Sequence, residues 1–502
     1  MSRSGSPIYA RPTVADVTEP IDTPESPPAT PGDCEPTPEG PGDEVAPLRG
    51  LFLVGGVVKQ LITTPDAHVV REHLSSLLQV KNLVVLMGSG ASFHLGSPQT
   101  RNLSNQKVLE LITNAGGDAS ATDAALLNVI NPSDNGDLEQ LLNGLQLAAS
   151  LARQAGQDSV ALGAGGDAKT YPNEQVESLR RSINRALADA CRLPIENVAL
   201  DPPFNSDPLR AHRTFLSRIV RSRRSNLPRP RIFTTNYDLV IERALDELGF
   251  PYIDGFSGTV DRRLNLAYYG LDFHRVEMTT QTVVARADGA VYLHKVHGSL
   301  NWRSSIERDP LTGLESLEVK QSADSAVGGD LVLIYPTAAK ESDSLAYPYS
   351  DLLRLLGDAV QQEDTAILAV GYGFADPHIN RLLLRSLGSN PALNVFVADP
   401  KAVLSDEDLM GLTDNADALG RRLAESNVTP KSTAIAALAT SGDSRIAVLT
   451  GDFGKFSEVA ELMPDTGTQG NVSPPAAITS LIEALERATG RFTPPLPGGD
   501  EE

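Results

Sequence analysis

The feature that most limits how this chain can fold is a series of short valine-, isoleucine- and leucine-rich runs, each ending abruptly in glycine, Thr-Asn or aspartate. They are Leu83–Met87, Arg231–Thr235, Val291–Val296, Leu331–Tyr335, Ala366–Val370, Asn394–Ala398 and Ile446–Leu449. Near-continuous apolar runs of this length are what strands of a parallel sheet look like when both faces are covered. Helical spacing lies between them, over Leu239–Leu248, Tyr349–Gln361, Ile379–Leu387 and Pro475–Ala488. The alternation predicts an α/β protein built on a doubly wound parallel sheet. Two stretches break it. Residues 104–230 are mostly helical in pattern, with apolar spacing in Leu138–Leu151 and Gln175–Cys191, and read as an inserted helical subdomain. Residues 402–443 read as a smaller helix-and-loop insertion.

The ends differ in kind from the body. Residues 1–50 carry 11 of the 35 prolines and three arginines against nine acidic residues, with no apolar segment of the signal-peptide type. Such a segment cannot bury enough apolar surface to offset its ordering entropy, so residues 1–48 are expected to be a disordered acidic arm and 491–502 a disordered tail. The folded body is then 49–490. The whole chain has 43 Lys+Arg against 64 Asp+Glu, a net charge of −21. That balance argues against broad electrostatic binding to nucleic acid or an anionic membrane. No stretch approaches the ~18–20 consecutive apolar residues a membrane span requires. Two cysteines, Cys34 and Cys191, cannot form a four-cysteine zinc ribbon or a disulfide framework, and they fit a reducing cytoplasm. A phosphate-bearing ligand would have to be held locally.

Several strand ends carry chemistry. Met87 runs into Gly88-Ser89-Gly90-Ala91-Ser92, where closely spaced glycines make either a tight structural turn or a backbone cradle for a diphosphate. It is neither a Walker A loop nor a full Gly-x-Gly-x-x-Gly fingerprint. Thr234-Thr235-Asn236-Tyr237-Asp238 ends a strand and opens a helix, so Asn236 and Asp238 are either helix caps or groups facing a ligand. His294-Lys295-Val296-His297-Gly298 offers a candidate general base in His297. A metal pair is not expected there, because residues three apart on a strand face opposite ways. Ala369-Val370-Gly371-Tyr372-Gly373-Phe374-Ala375-Asp376-Pro377 is a second glycine-rich strand end, followed by a capped helix. Asp399 closes a strand where a carboxylate can accept a ribose hydroxyl, and Gly451-Asp452 closes the last one.

The order of these motifs resembles that of the sirtuins, and the resemblance spans about residues 50 to 490 with a Rossmann-like fold. The family's Gly-Ala-Gly-x-Ser, three residues, then Gly-Ile-Pro-Asp-Phe-Arg, corresponds to Gly88-Ser89-Gly90-Ala91-Ser92, Phe93-His94-Leu95, then Gly96-Ser97-Pro98-Gln99-Thr100-Arg101. Its Thr-Gln-Asn-Ile-Asp corresponds to Thr234-Thr235-Asn236-Tyr237-Asp238, and its catalytic His-Gly to His297-Gly298. The resemblance implies NAD+ as substrate, with Asn236, His297 and Asp238 catalytic. It implies a binding surface from Gly88, Ser89, Gly90, Ala91, Ser92, Arg101, Thr235, Gly371, Tyr372, Asp399 and Asp452, and no metal.

The departures point to a particular branch. The four-cysteine module of the protein-deacylating sirtuins has no counterpart here, and Gln99 and Thr100 replace the Asp and Phe of their nicotinamide loop. Instead the chain has Leu333-Ile334-Tyr335-Pro336-Thr337 with Lys340, the Val370–Ile379 segment, and Asp137-Leu138-Glu139-Gln140-Leu141-Leu142. These resemble the sirtuin-like NAD-hydrolysing effectors of bacterial anti-phage defence. The resemblance implies release of nicotinamide and ADP-ribose, a homo-oligomer, and gating by a partner such as a HerA-type ATPase. The alternatives are an NAD-dependent deacylase, a non-catalytic subunit that senses NAD or ADP-ribose, and an ADP-ribosyltransferase.

Overall fold

The computed structural model describes residues 49–62, 67–98, 104–117, 120–132, 134, 138–163, 168–193, 207–223, 226–278, 282–308, 311–322, 330–333, 347–374, 376–401, 438 and 442–465. The chain divides into two units, Met1–Ala46 and Pro47–Glu502. The first lies outside the described residues, as do the C-terminal tail, the expected helix Pro475–Ala488, nearly all of 402–443, and Arg101.

The described elements open with β1 (Gly50–Val54), β2 (Val57–Ile62), α1 (His68–Leu78) and β3 (Asn82–Met87). Then come α2 (Asn105–Asn114), α3 (Ala121–Ile130), α4 (Leu138–Gln154), β4 (Ser159–Leu162), β5 (Lys169–Pro172), α5 (Asn173–Ala190) and α6 (Arg210–Ser222). The middle of the chain holds β6 (Arg231–Thr234), α7 (Val240–Leu248), β7 (Tyr252–Ile253), β8 (Phe256–Ser257), β9 (Arg262–Leu264), β10 (His274–Met278) and β11 (Thr282–Arg286). After these come β12 (Val291–Lys295), β13 (Gly298–Arg308), β14 (Glu315–Gln321) and β15 (Asp330–Leu333). The last are α8 (Tyr349–Val360), β16 (Thr365–Val370), α9 (Pro377–Ser389), β17 (Asn394–Ala398), β18 (Ile446–Gly451) and α10 (Phe456–Leu462).

The central sheet runs β2-β1-β18-β17-β16-β3-β6-β12-β7, parallel from β18 to β7. Numbered along the chain from β3, the six strands β12-β6-β3-β16-β17-β18 have the order 3-2-1-4-5-6, that of a Rossmann-like doubly wound sheet. Alternate residues of each strand face opposite layers. Val84 and Leu86 of β3 pack with α8 and α9, while Leu83, Val85 and Met87 pack with α1, α6, α7 and α10. Burial on both faces is why the strands read as unbroken apolar runs.

The sheet is not wholly parallel. β1 adds to β18 antiparallel and carries β2 as an antiparallel edge. The run Leu331–Tyr335, expected among the parallel strands, supplies β15 of a separate antiparallel sheet, β15-β13-β14-β9-β8. Apolar content alone does not say which sheet a short strand joins. Helices α2–α5 share a core of Val108, Ile112, Leu127, Leu145, Leu179 and Ile183. By contrast α6, although it falls within 104–230, packs Phe215, Leu216 and Ile219 against the central sheet.

Candidate functional site

The strand order reverses between β3 and β16, and there the two glycine-rich turns meet. The Gly88 amide donates to the Val370 carbonyl at 3.2 Å and the Gly90 amide to the Gly371 carbonyl at 2.9 Å. A Cβ on Gly88 would stand 2.6 Å from the Gly371 oxygen, and one on Gly90 would stand 2.8 Å from Gly371 Cα. Gly371 itself sits at φ +60°, where a side chain would run into the Ala91 nitrogen. The glycines of one motif therefore require those of the other. The Ala91 amide donates to the Gly88 carbonyl, so at least three of the five amides expected to cradle a diphosphate are already engaged within the protein.

Beside this contact, a short 3₁₀ turn (Ser89–Leu95) buries Ser92 fully. Asn236 follows β6, and its side-chain amide donates to Ser92 Oγ at 3.2 Å. Its backbone N–H donates to Thr234 Oγ1, and it is not a helix cap, since the cap position of α7 is Leu239 and no helix amide reaches its Oδ1. Asn236 Oδ1 is buried and has no hydrogen-bond partner among the described residues. Asp238 does act partly as a cap, since its Oδ1 accepts the Val240 amide at 3.1 Å. Burial pushes the Asp238 carboxyl up, while Lys295, the Val240 amide and the Ser92 side chain pull it back.

Beneath the loop lies a buried cation. Lys295 Nζ donates to the Asp238 and Tyr237 carbonyls and to Glu242 Oε1 at 2.8 Å. The charge of this ammonium acts on the carboxyls of both Asp238 and Glu242. Burial raises the Glu242 carboxyl against that attraction. Cys191 is close enough to feel Asp238 and Lys295, but burial pushes its thiol up to about 12, so it is no nucleophile. The Tyr237 ring packs with Leu300 into the helical core, anchoring the loop on its other side.

His297, after β12, is buried, and its Nε2 lies 2.9 Å from Asp376 Oδ2. His294 belongs elsewhere. It is stacked between the Phe233 ring at 4.2 Å and the Tyr269 ring at 4.1 Å, and burial drives its pKa down to about 3. Among the described residues no group of three or more His, Cys, Asp or Glu could hold a metal ion.

The remaining expected residues are spread along the strand ends. The Thr235 amide donates to the Met87 carbonyl, extending the β3–β6 ladder. Tyr372 is buried, with its hydroxyl on Asn380 Oδ1 at 3.2 Å. Asp399 accepts the Lys401 amide, and a Cβ on Gly454 would press on its carbonyl, so the ends of β17 and β18 touch. Asp452 accepts the Arg49 amide at 3.1 Å and Lys455 Nζ at 2.7 Å, which ties β1 to the end of β18. Ser89 lies at the start of the Ser89–Leu95 turn and is exposed. Lys295, Glu242 and Asp376, none of them among the expected site residues, belong to the cluster. No local pattern marks Lys295 and Glu242, which meet across two elements, and Asp376 reads as an ordinary cap.

No curated protein matches the chain. No described helix is long and apolar enough to cross a membrane. Residues 230–430 match the family model of the SIR2-like domain, a domain typical of NAD-utilising enzymes, which supports a sirtuin-like family and NAD-related chemistry for the stretch that carries Asn236, Asp238, His297 and Asp376.

Proposed function

We propose that the protein is an NAD+ hydrolase that cleaves the nicotinamide–ribose bond to give nicotinamide and ADP-ribose. The observation that carries this reading is the convergence of Asn236, Asp238, His297 and Ser92 at the ends of β3, β6 and β12, beside the strand-order reversal where doubly wound sheets bind nucleotides. The donor set fits a ribose. The unpartnered Asn236 Oδ1 is an acceptor awaiting a hydroxyl or water, buried where leaving it bare costs about 1–3 kcal/mol.

Breaking the glycosidic bond builds positive charge at the ribose carbon. The Asn236 carbonyl oxygen and the Asp238 carboxylate supply negative potential, and their positions are fixed in advance by Ser92 and Lys295. His297 accepts a proton from a ribose hydroxyl or the attacking water. None of this needs a basic surface, so a net charge of −21 does not oppose it.

Two cysteines cannot supply the four-cysteine module of protein-deacylating sirtuins, which favours hydrolysis over deacylation. Uncontrolled hydrolysis would drain a cell of NAD. We therefore place the activity in anti-phage defence by abortive infection, gated by oligomerisation or by a partner such as a HerA-type ATPase, in the cytoplasm. The test is to incubate the chain with NAD, alone and with the product of its neighbouring gene, and to follow nicotinamide and ADP-ribose. O-acyl-ADP-ribose formed from an acyl-lysine peptide would instead indicate a deacylase, and tight binding without turnover a sensing subunit.

A further inference from the structure

We propose that Asp376 is the positioning residue for His297, holding the ring's orientation, proton location and charge. A capping aspartate needs one oxygen for its helix. Asp376 uses Oδ1 for that, accepting the His378 amide at 2.8 Å and the Ile379 amide at 3.3 Å at the start of α9. Its second oxygen, Oδ2, reaches His297 Nε2 at 2.9 Å, a contact that capping does not explain. Both side chains are buried, so the pairing is shielded from solvent.

Reaching His297 takes a specific path. β12 and β16 are separated in the sheet by β6 and β3, so at about 4.8 Å per strand their ends lie about 14 Å apart. Asp376, six residues after the end of β16, nonetheless reaches His297. Phe374 takes a left-handed backbone conformation, φ 51°, uncommon outside glycine. Asn380 of α9 holds this turn through Nδ2 on the Phe374 carbonyl at 2.7 Å and Oδ1 on the Tyr372 hydroxyl at 3.2 Å. Tyr372 and Phe374, both buried and held by Asn380, precede an aspartate whose second oxygen ends on the histidine, and that arrangement is a positioning device.

The chemistry follows from the acceptor-only character of a carboxylate. It fixes the proton of the neutral ring on Nε2 and stabilises the imidazolium formed when the ring accepts a proton from a hydroxyl or water. The proton moves to the imidazole and no bond to Asp376 changes, the role an aspartate plays beside a catalytic histidine elsewhere.

The inference rests on the hydrolase reading for its kinetic consequence only. The experiment is a side-chain NMR titration of His297, assigned by loss of its resonance in His297→Gln, in the wild type, Asp376→Asn and Asp376→Ser. Asparagine keeps a capping oxygen but presents the ring with either a donor or an uncharged acceptor. Serine keeps a cap but is too short to reach. Both variants are expected to remain folded, the serine variant with a lower melting temperature because it leaves a buried ring nitrogen without its carboxylate, and to lower the His297 pKa by about one unit or more. With NAD, kcat is expected to fall at least tenfold at unchanged KM, with the acid limb of the pH profile moved to lower pH. An unchanged His297 titration in both variants would overturn the proposal. If the wild type does not cleave NAD, the hydrolase reading falls and the titration still decides the role of Asp376.

Discussion

The side-chain amide of Asn236 donates to Ser92 Oγ at 3.2 Å, and this bond ties the turn after β3 to the turn after β6 beside the strand-order reversal. Ser92 also bonds Asp238, so one buried hydroxyl orients both residues proposed to face the ribose. Ser92→Ala should cost about 1–3 kcal/mol in urea unfolding by leaving the Asn236 amide unpaired. It should lower kcat up to about 100-fold through misplacement of Asn236. Wild-type turnover in a folded Ser92→Ala protein would show that the bond does not position the site.

The two glycine turns predict an effect at a position remote from any proposed proton transfer. In Gly371→Ala the new Cβ meets the Ala91 nitrogen, and the residue must hold φ +60°. Backbone rather than a flexible side chain blocks it, so the two strand ends must separate. The expected loss is about 1–3 kcal/mol, read as a lower melting temperature. Gly373→Ala, where a Cβ meets nothing within 4 Å, should be nearly neutral.

Lys295 and Glu242 form a buried pair, with side chains 4% and 11% exposed. Lys295→Met leaves Glu242 unpaired and frees the Tyr237 and Asp238 carbonyls. A loss of about 3–5 kcal/mol is expected, because breaking one side of a buried pair strands the other charge. The double variant Lys295→Met/Glu242→Gln should recover part of it. Equal stability of single and double variants would mean that the pair is not coupled.

His212 predicts a pH dependence. It is fully buried, tilted against the Phe456 ring at 4.6 Å, and neither ring nitrogen has a partner among the described residues. Burial, with the neighbouring His94, pushes its pKa down to about 3. A depressed pKa means that the unfolded chain binds the proton first. The stabilisation is therefore complete above the ordinary histidine pKa near 6.5 and is lost as the pH falls toward about 3. The slope in that window is about 1.4 kcal/mol per pH unit for each such histidine. In His212→Leu, whatever its stability at neutral pH, urea unfolding should depend less steeply on pH between 6 and 4. An unchanged slope would place the proton uptake elsewhere.

Strand positions were legible because burial on both faces leaves a one-dimensional trace: Val84, Val85 and Leu86 are apolar since each meets a helix layer. The antiparallel sheet holding β13–β15 was not legible, because its register depends on partners far along the chain, such as Gly298 with Leu333. Asn236 and His297 stood out by residue type at strand ends. Asp376 did not, since its contact with His297 spans 79 residues and its capping role accounts for the local sequence. The glycines of Gly88–Ser92 suggested a phosphate cradle, and the structure uses their small size first to admit the Gly371 backbone.

The most direct measurement compares nicotinamide release from NAD by the wild type with that by Asn236→Ala and His297→Ala, each with and without the neighbouring gene product. Stoichiometric nicotinamide and ADP-ribose are expected from the wild type, and losses of about 100-fold or more in both variants while each remains folded. NAD left intact by the wild type in both settings, or full activity in the two variants, would contradict it.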